Sequence, residues 1–168
     1  MDNQRMILGD EVGRMVCLRG KENPRVELDI ALGDAPIRCA ACEPNSSRLA
    51  IGDGNGQVFL IEPDAVPIRP VGFAAHWSGV SALAWTACGH LVSAGLDQTV
   101  RYWSVDDSNL PPQMVLKLAL RGNVRRLFPD LYHNAEDSTH DLLMFREGSF
   151  ALERLELPWR INDRIGSA

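Results

Sequence analysis

The sequence has no long hydrophobic run and no leader-like start. No uninterrupted apolar stretch approaches the roughly 20 residues that cross a bilayer. The first residues, MDNQRMILGD, also lack the basic start and the apolar core of a signal peptide. These absences argue against a membrane-spanning helix and against secretion. We therefore expect a cytoplasmic chain with no membrane partner, and a nuclear location is the alternative.

Positive charge is also scarce. The 168 residues include 17 lysines and arginines against 22 aspartates and glutamates, which gives a formal net charge of −5. A chain of this charge does not attract a phosphate backbone along its whole surface, so nucleic acid is not the expected partner. With 45% hydrophobic and 23% charged residues, the composition is typical of one soluble globular domain.

Cysteines are few and scattered, at positions 17, 39, 42 and 88. This spacing does not predict a disulfide-rich secreted scaffold. Cys39 and Cys42 form a C-x-x-C pair, which can indicate metal or redox chemistry. On an extended strand, however, residues three positions apart point to opposite faces, and no second pair follows at zinc-site spacing. We therefore expect core or half-buried thiols, no metal and no cofactor.

A repeat runs through the chain. The segment RMILGDEVGRMVCL from Arg5 matches RLAIGDGNGQVFLI from Arg48, an offset of 43 residues. A further shift of 42 residues places Leu49 over Leu91 and Val58 over Val100. A period of about 40 to 45 residues is typical of propeller blades with four strands each.

Short apolar runs separated by Gly, Asn, Asp, Ser and Pro predict an all-β chain, and helical periodicity is not convincing anywhere. The GDGNGQ turn is typical of a tight hairpin, because Asn-Gly readily adopts positive φ. We predict strands near residues 5–9, 14–19, 26–32, 36–42, 48–52, 57–61, 66–72, 80–85, 91–95, 100–105, 114–120, 123–128, 141–146 and 150–157.

One repeat carries a family resemblance. His76, the VSALAW that follows it and LVSAGLDQTVRYW together resemble the WD-repeat pattern, with Ser104 in place of the dipeptide's aspartate. The resemblance implies a partial WD-repeat β-propeller with two full four-stranded blades and two incomplete blades. Residues 1–157 would form this incomplete propeller and residues 158–168 a C-terminal tail. The GDEVGRMVCL turn also resembles C-terminal propellers of STAND-type NTPases, although the chain has no G-x-x-x-x-G-K-[ST] phosphate loop.

Ser93, His76 and Asp97 have two interpretations. They are the side-chain types of a hydrolase triad, but Ser93 lies in the apolar strand LVSAG and not in a G-x-S-x-G turn. At the matching positions of WD repeats, a chain of hydrogen bonds ties each blade together. The resemblance therefore implies a structural network of Trp103, Ser93, His76 and Asp97. A propeller-based hydrolase or a metal-binding protein is the alternative.

The family resemblance also implies a binding platform. Loops that join outermost to innermost strands, and second to third strands, share one face of a WD propeller. We expect this face to bind a protein partner through Asp10, Glu11, Asp53, Asn55, Trp77, Leu96 and Gln98. Trp77 either forms a binding hot spot or folds down onto the blade edge. The nearby cluster of Arg121, Arg125 and Arg126 is either solvated or contacts a phosphate or an acidic peptide.

These inferences favour a noncatalytic protein-interaction scaffold or sensor module. A closed propeller usually has four to eight blades, and the missing strands predict exposed sheet edges that favour pairing. We therefore expect self-association, completion by another propeller segment or membership of a longer protein.

Overall fold

The computed structural model describes residues 5–44, 46–87, 89–106, 110–129, 141–148 and 152–156. Within these ranges every regular element is a β-strand, which confirms the all-β expectation. The strands are β1 (Arg5–Gly9), β2 (Arg14–Arg19), β3 (Arg25–Ala31), β4 (Ile37–Cys42), β5 (Leu49–Asp53), β6 (Gln57–Ile61), β7 (Val71–Ala74), β8 (Val80–Trp85), β9 (Leu91–Gly95), β10 (Thr99–Ser104), β11 (Gln113–Ala119), β12 (Val124–Pro129), β13 (Asp141–Arg146) and β14 (Leu152–Glu156).

These strands form four antiparallel sheets, which we call blades 1 to 4 in chain order. Blade 1 is β1-β2-β3 and blade 4 is β12-β13-β14, whereas blade 2 (β4 to β7) and blade 3 (β8 to β11) have four strands each. The innermost strands lie side by side, with β8 between β4 and β12. Two full blades and two three-stranded blades confirm the predicted architecture.

The hydrophobic core lies between the blades. Blades 1 and 2 bury Met15 and Cys17 against Leu49, Ile51 and Ile61. The interface of blades 2 and 3 includes Ala50, Val58, Leu60, Phe73, Val80, Leu83, Trp85, Leu91 and Trp103, and that of blades 3 and 4 includes Val92, Val100, Tyr102, Val124, Leu127 and Met144. The two middle blades, 2 and 3, each have a neighbouring blade on both sides. Strands such as β9 in these blades are therefore buried along their whole length.

In blade 2, the short turn between the second and third strands is fixed by aspartate and glycine. The Asp53 carboxylate accepts hydrogen bonds from the backbone N–H groups of Asn55 and Gln57 at 2.9 and 2.8 Å. Gly56 has a φ of 85°, and a Cβ there would lie 2.3 Å from the carbonyl oxygen of His76. Only glycine combines this positive φ with so close an approach of two loops.

The prediction for β7 was wrong in position. A strand was expected at 66–72, but β7 covers Val71–Ala74. Pro67 and Pro70 lack the N–H group that a strand needs for pairing, so the strand begins only after the second proline. The tail expected at 158–168 lies outside the described residues. Within the described part of the chain, no helix has the length and apolar character needed to span a membrane.

Candidate functional site

Four of the side chains singled out in the sequence form one continuous series of contacts in blade 3. The indole Nε1–H of Trp103 donates to Ser93 Oγ at 2.9 Å, and Ser93 Oγ lies 2.8 Å from His76 Nε2. His76 Nδ1 lies 2.9 Å from Asp97 Oδ1. With the indole donating to the serine, the hydroxyl donates to Nε2, and Nδ1–H donates to the carboxylate.

Two further side chains belong to this network and were missed from the sequence. The Thr99 hydroxyl donates to Asp97 Oδ1 at 2.8 Å and lies 3.1 Å from His76 Nδ1. Arg101 Nη2 donates to Asp97 Oδ2 at 3.1 Å. The available signal is the alternate spacing of Thr99 and Arg101 on β10, directly after Asp97 in the turn, because alternate residues of a strand share one face.

The electrostatics of the network favour a neutral imidazole beside a charged carboxylate. Burial lowers the pKa of His76 below its ordinary value, and the attraction of Asp97 does not restore it. Burial by itself raises the pKa of the Asp97 carboxyl, but hydrogen bonds from Thr99 and from the Trp77 backbone outweigh it. The net pKa of Asp97 therefore lies below its ordinary value.

Ser93 does not present a nucleophile to solvent. The residue is 0% exposed, and its oxygen already accepts the Trp103 indole N–H while it contacts the imidazole. A catalytic serine needs an accessible hydroxyl and oxyanion donors beside it. The three triad-type side chains are thus close together, but they lie inside the packing of blade 3.

Directly above this network, the expected binding loops form one surface, which we call the loop face (residues 10–13, 32–36, 54–56, 75–79, 96–98, 120–123 and 147–148). Backbone hydrogen bonds of 2.8–2.9 Å connect each loop to the next, from Ile37 to Asp10, Gly54 to Pro36, His76 to Gly56, Leu96 to Gly79, Leu120 to Gln98 and Glu147 to Asn123. The loops of all four blades therefore lie at the same end of the sheets.

Trp77 is the most prominent side chain of the loop face. It is 88% exposed, so it does not fold down onto the blade edge. Its backbone N–H donates to Asp97 Oδ2 at 3.2 Å, which connects the loop to the buried network. Leu96, whose N–H bonds to the neighbouring loop at Gly79, is 37% exposed.

The polar members of the expected binding set differ in accessibility. Asp10, Glu11, Asn55 and Gln98 are exposed. Asp53 is only 4% exposed, and its carboxylate accepts hydrogen bonds from the backbone of its own turn. Its inclusion among the accessible binding residues is therefore corrected, since a partner cannot reach its carboxylate.

The paired cysteines alternate in exposure along β4. Cys39 is half-buried and Cys42 is exposed, so their side chains point to opposite faces as the strand geometry requires. Burial raises the pKa of the Cys39 thiol to about 12, which keeps it protonated and unreactive. Among the described residues, no group of three or more His, Cys, Asp or Glu side chains is placed to hold a metal ion. Cys88 lies outside the described residues.

Comparison with known proteins agrees with this geometry. Residues 69–104 match the family model "WD domain, G-beta repeat". An uncharacterised WD repeat-containing protein of Schizosaccharomyces pombe is 33% identical over 73 residues, which is 43% of this chain and 12% of that protein. Actin-interacting protein 1-2 of Arabidopsis thaliana is 30% identical over 103 residues, 61% of this chain and 15% of that protein. The chain thus spans about an eighth to a sixth of the curated relatives it matches.

Solved structures share the fold at low sequence identity. Saccharomyces cerevisiae Sqt1 superposes with a TM-score of 0.74 and 14% identity, covering 94% of this chain and 42% of Sqt1. A chain of the mitotic checkpoint complex superposes with a TM-score of 0.69 and 15% identity, covering 90% of this chain and 49% of the other.

Proposed function

This chain carries a WD repeat on part of a β-propeller, and we propose that it is a noncatalytic protein-interaction module, a scaffold or a sensor. In this proposal, a protein partner binds the loop face. The observation that carries the proposal is Trp77, an 88% exposed indole on a backbone anchored to Asp97. Large exposed aromatics at the centre of polar loops are typical of binding hot spots.

The surroundings of Trp77 support a protein partner. Leu96 adds apolar surface from the adjacent turn, and Gln98 and Asn55 add exposed amide groups. An apolar centre with a polar rim is the usual arrangement of a protein–protein interface. A tryptophan buried by the partner gains apolar contact over its whole ring, and so contributes more affinity than its share of the area.

The buried network is proposed to be structural and to keep the loop face ready for binding. Asp97 accepts from His76 through one carboxylate oxygen and from the Trp77 backbone through the other. Ser93 and Trp103 hold the far side of the imidazole. A loop that is already fixed loses less conformational entropy when a partner binds, so this network favours affinity without contacting the partner.

The hydrolase alternative has less support. Its nucleophile would be Ser93, which is fully buried and whose hydroxyl oxygen already accepts a hydrogen bond from the Trp103 indole. We expect a serine-reactive fluorophosphonate probe to leave the chain unlabelled. Self-association, completion by another propeller segment, a cytoplasmic location and the likeness to STAND-type propellers stay predictions.

The proposal is tested by replacing Trp77 with alanine. Partner capture in a pull-down from the source cells should fall sharply, while the thermal melt stays nearly unchanged because the indole makes little intramolecular contact. Val66→Ala is the matched control, since Val66 is 97% exposed and follows β6, away from the loop face. Equal capture by the two variants would contradict the proposed face.

A further inference from the structure

The three innermost strands share an irregularity at the same place. In β4 the pairing with β5 shifts between Ile37 and Cys39, so Arg38 is the extra residue of a β-bulge. The same shift makes Ser81 the extra residue of β8 and Arg125 the extra residue of β12. A bulge redirects a side chain from its place in the strand alternation. Arg38, Ser81 and Arg125 therefore occupy equivalent positions in successive blades.

These three bulge residues meet at one cavity. The cavity has a volume of about 360 Å³ and is lined by Arg38, Ser81 and Arg125 together with Arg126, Leu96 and Glu147. Leu96 and Glu147 belong to the loop face, so the cavity opens on the surface already assigned to the partner. Its volume falls within the range of roughly 300–1,000 Å³ that is typical of ligand pockets.

The charge of this cavity is opposite to that of the whole chain. Three guanidinium groups line it against the single carboxylate of Glu147, whereas the chain carries a net charge of −5. Within the described residues, Arg38 and Arg126 have no carboxylate in ion-pair contact. Two exposed arginines that line a concave site and have no carboxylate in ion-pair contact favour an external anion there.

The third arginine is paired, but weakly. Arg125 Nη2 lies 2.5 Å from Glu147 Oε1, and these side chains are 62% and 50% exposed. Exposed ion pairs contribute little stability, because water and salt screen them. An incoming oxyanion that also contacts Arg38 and Arg126 can therefore displace Glu147 from Arg125.

We propose that this cavity, which we call the bulge pocket, binds an oxyanion carried by an acidic segment of the protein partner. The oxyanion is a carboxylate or a phosphoryl group, because the planar fork of arginine pairs with both in two parallel hydrogen bonds. This inference rests on the proposed function and narrows it, since it states the chemistry of the segment that the loop face recognises. A single concave site suits one or two side chains of a peptide.

The test is fluorescence anisotropy with the whole chain and labelled peptides. A glutamate-rich peptide should bind and its glutamine counterpart should not. The double variant Arg38→Gln/Arg126→Gln should weaken binding of the glutamate peptide by roughly tenfold or more, since each lost contact is a charge-assisted hydrogen bond. The matched control is Arg25→Gln/Arg69→Gln, which removes the same charge from exposed sites outside the pocket and should change affinity by less than about twofold.

Two further variants refine the test. Glu147→Gln removes the internal competitor and should tighten binding. Arg38→Lys/Arg126→Lys keeps the charge but removes the bidentate geometry, so its affinity should lie between wild type and the glutamine double variant. A thermal melt of each variant reports whether the fold is intact. A phosphoserine peptide and inorganic phosphate as competitors distinguish the phosphoryl source from the carboxylate source.

Failure of this inference can be told apart from failure of the proposed function. Equal loss of binding in the pocket and control double variants would overturn the bulge pocket, because the attraction would then come from overall charge. Absence of binding by both acidic peptides would overturn it as well. In either case, partner capture that still depends on Trp77 would leave the interaction function standing.

Discussion

Replacing Asp97 with alanine should destabilise blade 3 more than the loss of an ordinary surface carboxylate. The Asp97 carboxylate accepts from His76 Nδ1 at 2.9 Å, from the Thr99 hydroxyl at 2.8 Å and from Arg101 Nη2 at 3.1 Å. It also accepts from the backbone N–H groups of Thr99 and Trp77. All these donors lose their acceptor at once in the Asp97→Ala variant.

The size of the effect follows from the burial of these donors. The exposed fractions of His76, Thr99 and Arg101 are 6%, 8% and 8%, so water cannot readily replace the carboxylate. One unpaired buried donor costs about 1–3 kcal/mol, and a hydrogen bond to a charged group contributes about 1.5–3 kcal/mol. Because the Thr99 hydroxyl can still accept from His76, part of the loss is recovered. We expect a decrease of about 2–4 kcal/mol in the free energy of unfolding.

Circular dichroism melts measure this change. For a chain of this length, each kcal/mol shifts Tm by roughly 2–4 °C, so a decrease of roughly 5–15 °C is expected. Asp34→Ala is the control, because Asp34 is an exposed carboxylate of the loop face and its loss should shift Tm by less than about 2 °C. Equal midpoints for the two variants would refute the structural role of the network.

Two further predictions concern pH and association. Burial lowers the folded-state pKa of His76 below the unfolded-state value of about 6.5. Between these two pKa values the unfolded chain binds more protons than the folded chain, so the free energy of unfolding should decrease as the pH falls from about 6.5 through this window. A His76→Gln variant should lose this part of the slope in melts taken across the window, and an unchanged slope would contradict a neutral buried imidazole. In the 168-residue chain, Met6 and Leu8 on β1 are 57% and 50% exposed, and among the described strands β1 pairs only with β2. An exposed strand edge of this kind favours association between chains. Light scattering after size-exclusion chromatography should therefore report species heavier than one chain. A single sharp monomer peak would contradict that expectation.

The fold could be predicted from the sequence because its signals are local. A repeat of about 42 residues, hairpin turns with glycine and short apolar runs together indicate the strands of each blade and their order. The one misplaced strand, β7, shows the limit of apolar patterning. VPIRPV is apolar enough to suggest a strand, but Pro67 and Pro70 cannot donate to a neighbouring strand.

The candidate site could be predicted only where the family pattern extends. His76, Ser93, Asp97 and Trp103 stand at recognisable positions, whereas Thr99 and Arg101 were not recognised as partners of Asp97. The burial of Asp53 was missed for a related reason. A carboxylate at the start of a turn is expected to be exposed, and Asp10 is exposed although it accepts the same two backbone hydrogen bonds as the buried Asp53. The local turn pattern therefore does not distinguish the two aspartates.

The bulge pocket depends on a feature that composition does not reveal, although the repeat contains a trace of it. Arg38 and Ser81 are 43 residues apart, and Ser81 and Arg125 are 44 apart, so the period alone places them at equivalent positions. The period does not predict the direction of the side chains. One unpaired residue in a bulge changes which face the side chains point to, and the repeat spacing does not show whether a strand is bulged. The repeated bulge resolves this, and it brings arginines from two blades to one cavity. Arg38 thereby joins Arg125 and Arg126, which are adjacent in the sequence, in a local positive site on an acidic chain.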